Sequence, residues 1–156
     1  MAKAWRTQGL DCDGAFVDNA RRVIDTRLRE ALSYEERARD GGDVAGLHNM
    51  RISVKRLRYS MELFQACFAK RFRRCLARMR DLQELLGATH DADVRVGYLR
   101  AQLERAAPEQ RLGVKALLNR TQQRREETHR QVCEMLEGLR DDGVWRDIRK
   151  LAGGSQ

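Results

Sequence analysis

Basic side chains recur at helical spacing near the middle of the chain. His48, Arg51, Lys55 and Arg58 are separated by three, four and three positions. At about 100° per residue, this spacing places them on one narrow side of a helix. Guanidinium, ammonium and imidazole groups in such a row can bind phosphate or carboxylate oxygens. These four residues form the first basic row, which predicts an anion-binding site.

A second basic row follows, made of Arg71, Arg74 and Arg78. If its helix packs antiparallel to the first through a short turn, the two rows face each other across a groove that suits a linear polyanion. Arg73 and Arg80 are expected to point elsewhere, into solvent. Apolar residues flank the first row on both sides and predict walls for the groove: Ile52, Tyr59 and Leu63 on one side, and a heptad from Leu47 to Phe68 on the other. The alternative is a surface row whose apolar neighbours serve two packing contacts.

Helices must position both rows. The chain has one proline and is rich in Leu, Ala, Arg and Glu, which favour helix. Apolar periodicity predicts helices over 15–39, 44–70, 71–86, 92–106 and 109–140, with a last turn over 145–151. Asp43 is expected to cap the second helix, Gly87 to end the third, Thr89, His90 and Asp91 to cap the fourth, and Pro108 to mark its end. The prediction is an all-α bundle of four to five helices over 15–151, with a flexible arm over 1–14 and a flexible tail over 152–156.

The charge balance points to an anionic partner. There are 31 basic and 23 acidic residues, for a net charge of +8, and five lysines among the 31 leave 26 arginines. Such a surface attracts nucleic acid, a phosphate polymer or an anionic membrane. The alternative is arginine enrichment from a GC-rich genome on solvated helix faces. Neither a signal peptide nor an apolar stretch of about 20 residues is visible. Four scattered cysteines are expected to be free thiols, so the expected location is the cytoplasm, with no membrane association.

Catalytic chemistry has little support in the sequence. Asp91 and Asp93 are expected to be structural, as a helix cap or as partners of an arginine such as Arg56. His90 and His129 are expected to be solvated. With no nucleotide-binding loop, nucleophile motif or metal-ligand spacing, we expect no enzyme activity, no cofactor and no metal.

Two segments carry a family resemblance. LHNMRISVKRLRYSMELF (Leu47–Phe64), followed by LQELLGATHDADV (Leu82–Val94), resembles the CHAD family, the conserved histidine α-helical domain. The resemblance implies a helical domain that binds inorganic polyphosphate through basic residues. It implies His48, Arg51, Lys55 and Arg58 as anion contacts, with Arg74 and Arg78 on the next helix, and Asp91 matches the acidic position after Leu-Gly.

This sequence also departs from the family pattern. A complete CHAD domain resembles two helical repeats about a pseudo-twofold axis, whereas this chain carries the motif once. We therefore expect a C2 homodimer that restores the groove. CHAD domains often accompany triphosphate-tunnel catalytic domains, so a phosphate-metabolising partner enzyme would be a separate protein. The alternatives are a non-specific nucleic-acid-binding protein and a purely structural helical adaptor.

Overall fold

The computed structural model describes residues 3–153, and this part of the chain holds six α-helices and no strand. A short 3₁₀ turn, Gln65–Cys67, lies between the third helix and the fourth. The predicted all-α bundle is confirmed. The helices are α1 (Phe16–Leu32), α2 (Glu35–Arg39), α3 (Val44–Leu63), α4 (Lys70–Arg105), α5 (Pro108–Asp141) and α6 (Val144–Leu151).

The core is built around α3, which packs against both α1 and α4. The apolar heptad predicted on α3 is buried from its first turn to its last, since no member from Leu47 to Met61 is more than 1% exposed. Phe72, Met79, Leu82 and Leu86 bring α4 into the same core. Burial of this side of α3 leaves the first basic row on a different side of the helix.

The predicted third and fourth helices are one continuous helix of 36 residues, α4. The prediction that Gly87 ends a helix is wrong, as is the prediction that Thr89, His90 and Asp91 cap the next one. A glycine inside a helix costs only about 1 kcal/mol relative to alanine. That cost is small beside the packing of buried residues that continue the helical period past it, namely Leu86, Thr89, Ala92 and Val96.

Other helix limits also differ from the predictions. The first predicted helix divides into α1 and α2 at Ser33 and Tyr34, and the second ends at Leu63. Pro108 is the first residue of α5, where its missing N–H has no helical partner to lose. Asp43 caps α3 as predicted, because its Oδ1 accepts a hydrogen bond from Gly46 N at 2.7 Å.

The segment before α1 runs along that helix. Arg27 Nη1 donates to the carbonyl of Trp5 at 2.9 Å, and Asn19 Nδ2 donates to the carbonyl of Asp11 at 2.6 Å. At the other end, Ala152 is 7% exposed and belongs to the core. The first two residues of the predicted arm and the last three of the predicted tail lie outside the described residues.

Candidate functional site: a basic face on α3 and α4

The first basic row lies beside α4. Arg58 Nε donates to Gln83 Oε1 at 2.6 Å, and the rings of His48 and His90 have centroids 5.1 Å apart. Gly87 is on α4 between these two contacts, and a Cβ placed there would meet nothing within 4 Å. The middle of the row therefore lies opposite a stretch of α4 that has open space around it.

One carboxylate holds the arginines at the end of the row. Glu62 Oε1 accepts from Arg58 Nη1 at 2.6 Å and from Arg80 Nη2 at 2.8 Å. The hydrogen bond from Arg80 is the main reason that the pKa of Glu62 lies below its ordinary value; burial opposes this shift, and the charges of Arg58 and Arg80 support it. Two guanidinium groups thus share one negative charge, which leaves a net positive charge at this end.

Arg51 and Lys55 form the open middle of the row. Lys55 is exposed and Arg51 is half-buried. Within residues 3–153, no carboxylate lies within ion-pair distance of either side chain. The Lys55 ammonium lies 5.6 Å from the centroid of the Tyr59 ring, and the Arg58 guanidinium lies 4.2 Å from it. Arg51 and Lys55 are therefore the cations of the row with no opposite charge to hold them.

His48 stands at the far end of the row in a positively charged setting. Burial is the main cause that lowers the pKa of His48 below the ordinary histidine value, and the neighbouring His90 and Arg51 lower it further. A proton on His48 is disfavoured until a negative charge joins the group, so an anion and a proton would bind there together.

The second basic row does not face the first. Arg71 forms a bidentate ion pair with Asp147 of α6, with N–O distances of 2.9 and 2.7 Å. Arg78 Nη2 lies 3.6 Å from Asp142, just after α5. Arg74 is exposed on the same side of α4. The prediction that the two rows face each other across a groove is therefore wrong, because the second row points towards the α5 and α6 side of the bundle.

The apolar flank of the first row is open to solvent within one chain. Tyr59 is 50% exposed and Leu63 is 72% exposed, while Ile52 is half-buried. On the neighbouring α4, Val94 and Tyr98 are 59% and 63% exposed. The walls that the sequence predicted on this side are apolar surfaces with no cover from residues 3–153.

Arg56 points away from the row and into the bundle. Its Nη1 lies 2.5 Å from Oε1 of Glu30, which is fully buried and also pairs with Arg27 at 2.7 Å. Asp93, one of the partners expected for Arg56, pairs instead with Arg125 at 2.8 Å.

Three other predictions concern polar residues outside the first basic row. Asp91 is exposed in the middle of α4 and caps nothing. His129 is not simply solvated, because its Nε2 donates to the carbonyl of Ala38 at 3.0 Å. His90 likewise has a partner, the ring of His48.

Sequence reasoning missed the residues of α4 that meet the first row. These are Arg80, expected to be solvated, together with Gln83 and His90. The available signal was the register of an antiparallel helix pair, which places residues well inside the second helix opposite the middle of the first.

Between residues 3 and 153, no three His, Cys, Asp or Glu side chains are grouped so as to hold a metal ion. None of the helices in this range combines the length and the apolar character needed to cross a membrane.

The fold and the site define an all-α bundle that displays a row of cations along one helix pair. A family model described as CHAD domain matches the chain twice, over residues 2–100 and over residues 22–156. The chain belongs to the CHAD domain family, a family of helical binding domains associated with polyphosphate. No curated protein and no solved structure is significantly similar to it.

Proposed function

We propose that this protein binds inorganic polyphosphate, without catalysis, along the first basic row on α3. Arg51 and Lys55 make the main phosphate contacts, and His48 and the Arg58–Arg80 pair make contacts at the two ends. The observation that carries the proposal is that Arg51 and Lys55 have no carboxylate within ion-pair distance in residues 3–153, beside open space at Gly87. Family membership supports polyphosphate as the polyanion.

The row also has a suitable length for a chain ligand. From His48 to Arg58 the helix rises about 15 Å, at about 1.5 Å per residue. A single small anion would contact one or two of these side chains, whereas a linear polymer contacts all of them in turn. Release of its counterions then provides most of the affinity, which makes binding strongly dependent on salt.

The test is titration of long-chain polyphosphate at two salt concentrations with wild type and Arg51→Glu/Lys55→Glu. Arg58 is left in place because its reversal would put a second carboxylate beside Glu62. We expect the double variant to bind at least about tenfold more weakly, and its salt dependence to fall by about 0.7 for each lost phosphate contact.

The matched control is Arg111→Glu/Lys115→Glu, which makes the same charge change at exposed positions of α5. It should bind nearly as well as wild type. Equal losses in the two variants would mean that only the overall charge matters, and binding at the row would then be rejected. The exposed Arg74 offers a similar test of the second basic row, where Arg74→Glu is expected to have a small effect.

A second copy of the chain is the proposed cover for the apolar flank of the row. Tyr59 and Leu63 on α3 are both at least half exposed on the same helix as the cations. Residues 22–100 lie within both family matches, which agrees with one repeat of a two-repeat pattern. We propose a C2 homodimer in which the partner's row faces the first. Light scattering at tens of micromolar should give twice the monomer mass, and Leu63→Arg should return the protein to monomer.

One observation favours a second candidate function, the binding of single-stranded nucleic acid. Tyr59 is half exposed and lies against both Lys55 and Arg58, so a stacking surface adjoins the cations. Tyr59→Leu distinguishes the two ligands, because it removes the aromatic ring and keeps the charges. Loss of oligonucleotide binding with polyphosphate binding unchanged would show a stacking role for Tyr59, and polyphosphate should still displace the oligonucleotide at a low ratio.

The proposed location is the cytoplasm. The four cysteines are free: Cys12, Cys67, Cys75 and Cys133. Burial raises the pKa of the Cys75 thiol to about 11, which keeps it protonated and unreactive. Thiol labelling of intact and unfolded protein should give four reactive groups only after unfolding.

A separate phosphate-metabolising enzyme remains the proposed protein partner.

A further inference from the structure

A second site is suggested by a cavity of about 500 Å³ where α6 meets the C-terminal ends of α1 and α5. No residue of α3 or α4 lines it, so it is separate from the first basic row. Its volume falls within the range of small-molecule sites, about 300–1,000 Å³.

Two apolar side chains, Leu32 and Trp145, contribute to the cavity lining. Leu32 at the end of α1 is half-buried, and Trp145 at the start of α6 is 7% exposed. Both contribute to the cavity, and both also pack with the core. A fully hydrated polymer such as polyphosphate gains nothing from an apolar lining, whereas an aromatic or aliphatic group does.

Four of the five other lining residues are basic. Glu35 is the one acidic side chain among the lining residues, and its Oε1 already accepts from Arg39 at 3.1 Å and from Arg140 at 2.7 Å. The other basic residues of the lining belong to α6. They are Arg146, Arg149 and Lys150.

These three α6 cations are exposed, and the described part of the chain offers none of them a carboxylate within ion-pair distance. An apolar lining beside unneutralised cations has the complementary pattern of an amphipathic anion. We propose that this cavity binds a small molecule with an aromatic or acyl body and a carboxylate, sulfonate or phosphate group. The body contacts Leu32 and Trp145, and the anionic group pairs with Arg149 and Lys150.

The probe for this site is 1-anilinonaphthalene-8-sulfonate, an aromatic sulfonate whose emission rises in apolar surroundings. The chain has two tryptophans, so Trp5→Phe leaves Trp145 as the single reporter. We expect saturable quenching of Trp145 together with enhanced probe emission. Arg149→Glu/Lys150→Glu in the same background should weaken probe binding at least about tenfold, since two attractive charges become repulsive.

Two controls separate this site from general charge and from the first basic row. Arg111→Glu/Lys115→Glu makes the same charge change far along α5 and should keep the probe affinity within about twofold. Arg51→Glu/Lys55→Glu should also keep it, whatever its effect on polyphosphate. Equal probe affinity in the Arg149/Lys150 variant and the Arg111/Lys115 variant would overturn the proposal, as would probe emission without quenching of Trp145.

The source of the anion is found with two further measurements. Displacement of the probe by decanoate below its micelle concentration would identify a free acyl anion. Sedimentation with phosphatidylglycerol vesicles that is lost in Arg149→Glu/Lys150→Glu would identify a lipid. Both outcomes support the site, whereas failure of decanoate and vesicles alike, with no localised probe binding, rejects it.

Discussion

Glu62→Gln should strengthen polyphosphate binding, although it weakens the fold. Glu62 Oε1 accepts hydrogen bonds from Arg58 and Arg80 at 2.6–3.1 Å and offsets part of their charge. Glutamine keeps an acceptor at this position and removes the negative charge. The site then gains one net positive charge near its surface, where one charge contributes about 0.5–1 kcal/mol to binding at moderate salt. The expected result is affinity about two- to fivefold higher and a steeper salt dependence.

The same change carries a stability cost that can be worked from the contacts. Hydrogen bonds to a charged group contribute about 1 kcal/mol more than neutral ones, and solvent screens a carboxylate that is 26% exposed. We expect unfolding to become easier by about 1–2 kcal/mol and the melting temperature to fall by roughly 3–6 °C. The lowered pKa of Glu62 means that wild type holds this contribution above pH of about 4.3 and loses it as the pH falls further, whereas the variant has no such dependence.

The assay is polyphosphate titration of wild type and Glu62→Gln at several salt concentrations, together with thermal unfolding of both proteins. Glu84→Gln is the matched control, because Glu84 is an exposed residue of α4 without an ion pair among residues 3–153. It makes the same charge change and should alter affinity less than Glu62→Gln does. Weaker or unchanged binding by Glu62→Gln at fixed salt would refute the reasoning, since it would mean that Arg58 and Arg80 do not face the ligand.

Three further predictions follow from the same contacts. Arg56→Met breaks a pair with the fully buried Glu30, so it should lower the free energy of unfolding in urea by about 2–3 kcal/mol and keep polyphosphate binding. Arg51→Met should weaken polyphosphate binding and keep the free energy of unfolding. Equal effects of the two variants would contradict a structural role for Arg56 and a binding role for Arg51. Gly87→Ala should stabilise the fold by about 0.5–1 kcal/mol, because the added Cβ meets nothing within 4 Å. Gly87→Glu should weaken polyphosphate binding, whereas the control Gly113→Glu should not. Wild-type affinity should rise as the pH falls into and below the ordinary histidine range, by at most tenfold per pH unit for one proton. The reason is that the lowered pKa of His48 leaves it neutral until an anion binds. A pH profile unchanged in His48→Gln would assign the effect elsewhere.

Sequence periodicity predicted the fold well and the helix limits less well. The heptad residues of α3 from Leu47 to Met61 are all apolar and all buried, so their burial follows from the pattern alone. The prediction that Gly87 ends a helix was wrong because a glycine can either end a helix or be tolerated inside one. The choice between them depends on packing against α5, which the local sequence does not contain. The ion pairs of Arg56 and Arg71 were likewise out of reach, because Glu30 and Asp147 are distant in sequence.

The placement of the two basic rows follows from one geometrical fact. In an antiparallel pair with a short connection, the first turns of α4 lie opposite the last turns of α3, and residues deeper in α4 lie opposite the beginning of α3. Arg71 and Arg74 begin α4, so they cannot reach His48 or Arg51, several turns back along α3. The cations of α3 therefore meet Arg80, Gln83 and His90 instead.

It follows that, within residues 3–153, the pair of α3 and α4 presents one row of cations to such a ligand and not two opposed rows. A polymer lying on that row would contact cations from one side and keep its other side in water, since the second row serves contacts with Asp147 and Asp142. A second row facing the first must then come from outside this helix pair. The proposed homodimer supplies it with the same four side chains and covers Tyr59 and Leu63 at the same time. On this argument, Leu63→Arg should lower polyphosphate affinity as well as dimer mass, even though it adds a positive charge beside the row.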